Sequence, residues 1–90
     1  MKFLLNSKIK IFALLKDEKS DGGFAESEVF IQDFFCSARF SWQNSEEYLT
    51  AVLREDPKLI GRMKVVFNQK SYYVVKTVKI MDGFLKLVCK

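Results

Sequence analysis

Residues 58–90 constrain the fold more than any other stretch. They read as strand, turn, strand, turn, strand: 58–67, 68–71, 72–81, 82–83 and 84–89. Val65, Val66, Val74, Val75, Val78, Ile80, Leu85, Leu87 and Val88 supply the β-branched and apolar content that suits a half-buried pleated surface. Asp82-Gly83 is a two-residue turn signal, because both residues tolerate the positive φ that a type I′ hairpin requires. In the last strand Leu85, Leu87 and Cys89 point one way, and Phe84, Lys86 and Val88 the other. In the strand before it, Tyr73, Val75 and Thr77 share one face, and Tyr72, Val74, Lys76 and Val78 the opposite one. An isolated three-stranded sheet with one apolar face is marginal, so the upstream chain must cover or close this meander.

Ninety residues suffice for one small domain with a single core. Apolar content of 49%, with nine Phe, argues against disorder and predicts a core filled by large rigid side chains. Histidine is absent, which removes the commonest general base and the commonest metal ligand. Cys36 and Cys89 lie far apart with no CxxC, and read as two buried thiols in a reducing compartment. Beside Phe34 and Phe35, Cys36 is predicted to be inert. Over 1–15, Lys8 and Lys10 interrupt the apolar run and no small-residue cleavage site follows. The stretch reads neither as a signal peptide nor as a membrane span, and the chain is expected to be soluble, without a membrane partner.

Taken in order, 8–15 is predicted as the first strand, with Lys8 and Lys10 alternating with Ile9 and Ile11. A basic amphipathic helix over 1–16 is the competing reading. Residues 16–27, reaching about 28, read as a long mobile loop carrying Asp17, Glu18, Asp21, the Gly22-Gly23 pair and Glu26. Residues 28–42 read as one long strand, in which Ala38, Phe40 and Trp42 alternate with Arg39 and Ser41. A bend or bulge is expected near 33–36, where Phe30 and Phe34 fall out of step with Phe35. Asn44-Ser45-Glu46-Glu47 reads as a capping box that opens a short helix over about 45–54. Tyr48, Leu49, Val52 and Leu53 would share one side of that helix, and Asp56-Pro57 would stop it. The expected fold is mainly β, a small antiparallel β-barrel with one short α-helix and a long mobile loop.

No residue set points to catalysis, to a metal or to another cofactor. Without His there is no Ser–His or Cys–His pair, and no spacing of acids marks a buried pair. Asp17, Glu18 and Asp21 share a loop without the twelve-residue calcium pattern. Charge is strongly segregated: residues 17–56 carry ten acids against three bases, whereas 1–16 carry four bases and 58–90 carry eight bases against Asp82 alone. Such patches suit head-to-tail association of identical subunits, or simply solvate exposed strand faces. A basic β-barrel with Tyr72, Tyr73 and Phe84 also fits a small OB- or SH3-like module that binds nucleic acid. Those aromatics alternate like core residues, however, and of the fifteen bases only Arg39, Arg54 and Arg62 are Arg.

Ala38, Glu47-Tyr48-Leu49-Thr50-Ala51, Arg62-Met63-Lys64, Tyr73-x-Val75-x-x-Val78 and Leu85-x-Leu87-x-Cys89, in this order and spacing, resemble the head–tail joining proteins of tailed bacteriophages. The similarity spans about 35–89, with a weaker match at Lys8-Ile9-Lys10-Ile11. Ser37 stands where that family usually has an aromatic, and 68–71 lacks the usual turn glycine. The resemblance implies a small antiparallel barrel with a short helix and a long loop. It also implies a structural role in the virion, as a ring between portal or adaptor and tail-completion or tail-tube proteins that closes or extends the DNA channel. Genomic DNA would then be passing cargo, and the isolated chain could be monomeric. The residues expected at subunit or partner contacts are Asp17, Glu18, Asp21, Gly22, Gly23, Glu26, Glu46, Arg54, Arg62 and Lys64.

Overall fold

The computed structural model describes residues 4–18 and 22–90. Six strands form a closed antiparallel barrel in the order β1-β2-β3-β6-β5-β4. They are β1 (Ser7–Glu18), β2 (Phe24–Gln43), β3 (Glu46–Arg54), β4 (Met63–Phe67), β5 (Lys70–Ile80) and β6 (Phe84–Cys89). The meander of the last third is β4-β5-β6, as its alternation predicts. Closure comes from β1, which pairs with β2 along one edge and with β4 along the other, across Lys10–Ala13.

Alternation sets the interior. Ile9, Ile11, Cys36, Leu49, Ala51, Leu53, Met63, Val65, Leu87 and Cys89 are essentially fully buried. Pairing confirms the shared face, since Leu49↔Cys89, Ala51↔Leu87 and Leu53↔Leu85 are opposite one another on β3 and β6. Leu59, from the loop between β3 and β4, is also buried in this cluster. These side chains are aliphatic or small, as the narrow bore of a six-stranded barrel requires. The large aromatics do not fill the core as expected: Phe30 and Phe35 face outward and are half exposed or more, Phe40, opposite Leu49 and against Phe67 and Tyr72, remains 46% exposed, and Trp42 is 69% exposed.

The chain at 45–54 is a strand and not a helix. Leu49, Ala51 and Leu53 face inward at period two, and the β-branched Thr50 and Val52 with Tyr48 favour extended backbone. Asn44 and Ser45 do not cap a helix. Both have positive φ, 52° and 66°, and form a two-residue turn between the opposed Gln43 and Glu46. Asn68 and Gln69 repeat this device at φ 51° and 65° between Phe67 and Lys70, so the turn is shorter than the expected 68–71. Asp82 and Gly83 have positive φ as predicted, but Met81 joins them in a three-residue loop, because Ile80 pairs with Phe84.

The expected long loop at 16–27 is largely strand. β1 and β2 remain paired through Lys16↔Glu26, Asp17↔Ala25 and Glu18↔Phe24, and 19–21 lie outside the described residues. β4 in turn begins five residues later than expected, at Met63, because 55–62 is loop. There the Lys58 and Leu59 amides donate to the Asp56 carboxylate and carbonyl, at 2.9 and 3.0 Å.

β2 is the longest strand and, like β5, serves both sides of the molecule. It pairs with β1 from Phe24 to Cys36 and with β3 from Ser37 to Gln43. The bulge that helps it curve lies at Ile31, the residue left between Ile11↔Gln32 and Phe12↔Phe30, rather than at the expected 33–36. A second irregularity leaves Val75 unpaired between Val74 and Lys76 of β5, so Lys76 and Val78 stand on the outer face and Thr77 opposite the buried Leu87, contrary to the unbroken alternation expected from Tyr72 to Val78. Because Leu87 is fully buried among long-range neighbours, Leu87→Ala should cost about 2–5 kcal/mol. Val75→Ala, at a site 55% exposed, should stay within about 0.5 kcal/mol. Urea denaturation of the two variants checks the inside and outside of the meander directly.

Candidate functional site

Two surface features stand out from the barrel. The first is an arm. Among the described residues, no strand pairs with β1 on its second edge beyond Ala13, or with β2 on its second edge before Ser37. The last hydrogen bond tying β1 to the β4 side is Leu14 N to Arg62 O, at 3.0 Å. The ribbon then continues as a two-stranded hairpin, consistent with a molecule 50 Å along its longest axis against 33 and 22 Å.

The root of the arm is held by side chains. Phe12 and Phe30 stack with centroids 5.3 Å apart, and the Lys64 ammonium lies 4.7 Å from the Phe12 ring. Lys64 also pairs with Glu28, and Arg62 with Glu26 at 3.4 Å. Of the residues expected at contacts, the structure thus gathers Glu26, Arg62 and Lys64 at this root. Asp17 and Glu18 lie on the outer part of β1, and Gly22 and Gly23 in the connection at the tip. Asp21 lies outside the described residues. Glu46 is at the opposite end of the barrel, beside the 44–45 turn. Its carboxylate accepts from Lys90 Nζ at 2.9 Å and from Tyr48 Oη at 3.1 Å, and these two bonds hold its pKa below the usual value. Arg54 ends β3, with its guanidinium 5.1 Å above the Phe84 ring.

The second feature is the outer face of β2-β3-β6-β5, which sequence reasoning missed apart from Arg54. Register builds it in rows. Arg39, Thr50, Val88 and Lys76 lie side by side, as do Ser37, Val52, Lys86 and Val78. Arg54, Phe84 and Ile80 form the row nearest the arm. An open groove of about 670 Å³ runs over this face, lined by Arg39, Lys79 and Lys86 with Ser37, Thr50 and Val52 among its walls. Val52 is only 8% exposed although it faces outward, so its neighbours cover it.

Charge pairing sharpens the contrast between these surfaces. The ion pairs Lys8–Asp33, Arg62–Glu26, Lys64–Glu28, Lys79–Glu55 and Lys90–Glu46 each join an acid of the 17–56 stretch to a base of a flanking stretch. The charge segregation of the sequence is thus used within the chain. Arg39, Lys76 and Lys86 form no ion pair with any described residue. The signal was available in the alternation of Arg39, Lys76 and Lys86 with inward residues, but only the register puts the three strands on one wall.

Among the described residues no group of three or more His, Cys, Asp or Glu could hold a metal ion. No described helix is long and apolar enough to cross a membrane. Cys36 and Cys89 are free thiols, both buried in the barrel. Burial raises Cys36 from 9.0 to about 11, and burial, then the neighbouring Cys36, raises Cys89 from 9.0 to about 12. Neither is a nucleophile near neutral pH, as the apolar setting of Cys36 predicts. No protein-family model matches the chain, and no curated protein is significantly similar to it.

The thiols give a pH prediction with a definite sign. Both native pKa values are raised, so the unfolded chain loses these protons first. The stability they hold is complete below pH 9.0 and drains as pH rises toward the native values of about 11 and 12. The slope should approach about 1.4 kcal/mol per pH unit for each thiol. Urea midpoints of the parent and of Cys36→Ala/Cys89→Ala, compared from pH 8 to 11, isolate that contribution, and only the parent should show it.

Proposed function

We propose that this chain is a non-enzymatic connector subunit of a tailed phage or prophage. Copies assemble as a ring between portal or adaptor and tail, where they close or extend the DNA channel. The observation that carries this reading is the arm. A paired ribbon extends past a closed barrel with both of its edges open, and an open edge with half-exposed apolar side chains is a surface that another chain completes. Phe30 and Val29 at the root of that ribbon, and Leu15 just beyond it, are each about half exposed. The sequence pattern from Ala38 to Cys89 and the small antiparallel barrel agree with the same reading.

Within the ring, the tip and outer arm bearing Asp17, Glu18, Asp21, Gly22, Gly23 and Glu26 would contact a neighbouring copy or the channel. Glu46 and Arg54, on the barrel, would serve lateral or stacking contacts. Arg62 and Lys64 hold the arm at its working angle.

The test replaces the outer arm, 17–26, with a two-residue Asn-Gly turn, and compares both proteins on purified portal complexes by sedimentation and electron microscopy. The shortened chain should keep the barrel's stability to within about 1 kcal/mol, because the tie to the barrel that it loses among the described residues, the exposed Glu26–Arg62 pair, contributes little. It should lose ring incorporation. Equal assembly of both chains on portals, or assembly of neither, contradicts the connector reading.

A further inference from the structure

We infer that the outer face of β2-β3-β6-β5 is a binding surface for single-stranded nucleic acid. The inference does not rest on the arm that carries the connector reading, although Arg54 belongs to both surfaces. Arg39, Lys76 and Lys86 project from three strands of one sheet with no ion partner among the described residues. Arg54 extends the same face toward the arm and Lys79 stands at its rim, the latter paired with Glu55. Along the rows from Phe84 to Val88 the four strands contribute no acid to this outward face; its one carboxylate, Glu46, sits at the far end, already bonded to Lys90.

Four unneutralised cations on one sheet of a small domain repel one another and are tolerated only because water screens them. A polyanion relieves that repulsion and releases its own counterions on binding. The floor between the cations offers hydroxyls from Ser37 and Thr50, which suit phosphate or sugar oxygens. Exposed aromatics stand at both ends of the face: Phe35, 63% exposed, beside Ser37 on β2, and Tyr73, 48% exposed, on β5. Cations interleaved with exposed rings are the combination that tracks a backbone and stacks bases. An acidic protein segment would use the cations but has no need of the rings.

Geometry favours an unpaired strand over a duplex. Four strands about 4.8 Å apart make a wall about 14 Å across before side chains are added. The major groove of B-DNA is about 12 Å wide and admits a helix or a two-stranded ribbon, not this sheet. An extended single strand can instead lie across the rows, where Arg39 and Lys76 share one row and Lys86 and Arg54 stand one and two rows further on, each row about 6.7 Å from the next.

The test uses the full chain and a fluorescein-labelled thymidine 15-mer, followed by anisotropy from 50 to 200 mM NaCl. Contacts from Arg39, Arg54, Lys76 and Lys86 predict a log–log salt slope of about −2.8, a loss of about fifty-fold in affinity across that range. Arg39→Gln/Lys86→Gln should halve the slope to about −1.4. Lys10→Gln/Lys58→Gln, which removes the same charge from elsewhere, should leave it unchanged. Phe35→Ala should weaken binding without altering the slope. Equal losses in the two double variants would mean a net-charge effect and overturn the assignment. So would no measurable binding at 50 mM NaCl, or equally tight binding of the folded parent to poly-glutamate. Far-ultraviolet circular dichroism of each variant confirms that the barrel is intact.

Discussion

Closure of the barrel by the β1–β4 pairing is the constraint on which the rest of the structure depends. Only Lys10 to Ala13 of β1 meet Val66 to Met63 of β4, yet this short seam converts an open sheet into a wall without edges at that level. Ile11 and Val65 face each other across the seam and both are fully buried. A ring of only six strands encloses a narrow space, so the interior takes mostly Ile, Leu, Val, Met, Ala and Cys, with Tyr72 as its large aromatic and Phe34 and Phe67 packed against it only in part. The bulges at Ile31 and Val75 follow from the same demand, because long strands must bend to meet their second partners. The surface rich in aromatics and the curved, cationic outer wall are therefore consequences of closure.

The terminal meander was legible in the sequence because period-two alternation, β-branched residues and the Asp82-Gly83 turn all agree there. The 45–54 stretch was not, because Glu46 to Arg54 satisfies two periods at once. Tyr48, Leu49, Val52 and Leu53 make a helical side, whereas Leu49, Ala51 and Leu53 make a strand face, and only tertiary pairing with Ser37–Gln43 and Phe84–Cys89 chooses. Asn44 misled for a related reason: the residue that caps a helix also tolerates the left-handed turn that it adopts here. The 16–27 stretch looked like loop because its composition is polar, but a solvent-exposed ribbon is polar too, and its pairing with β1 leaves no local trace. The cationic wall escaped notice because it is a product of register across three strands that are distant in the chain.

Register also explains what becomes of the segregated charge. Acids in the middle of the chain meet bases from both flanks across neighbouring strands or turns, in exposed pairs that each contribute little to stability. Their larger effect is selective, for they neutralise the arm root and the far end while leaving Arg39, Lys76 and Lys86 unpaired. The molecule consequently carries two separable surfaces on one scaffold: an arm whose edges want a protein neighbour, and a wall whose charge wants a polyanion.

Amide hydrogen exchange resolved by residue tests the closed barrel most directly. If the β1–β4 seam closes the wall, the amides of Lys10 to Ala13 and Met63 to Val66 that bond across it exchange only through global unfolding, as slowly as those joining β3 to β6. The arm amides of 15–18 and 24–27 should exchange far faster, through local opening of an unsupported ribbon. Exchange across the seam as fast as in the arm would mean an open sheet, and would contradict both the aliphatic interior and the surfaces built upon it.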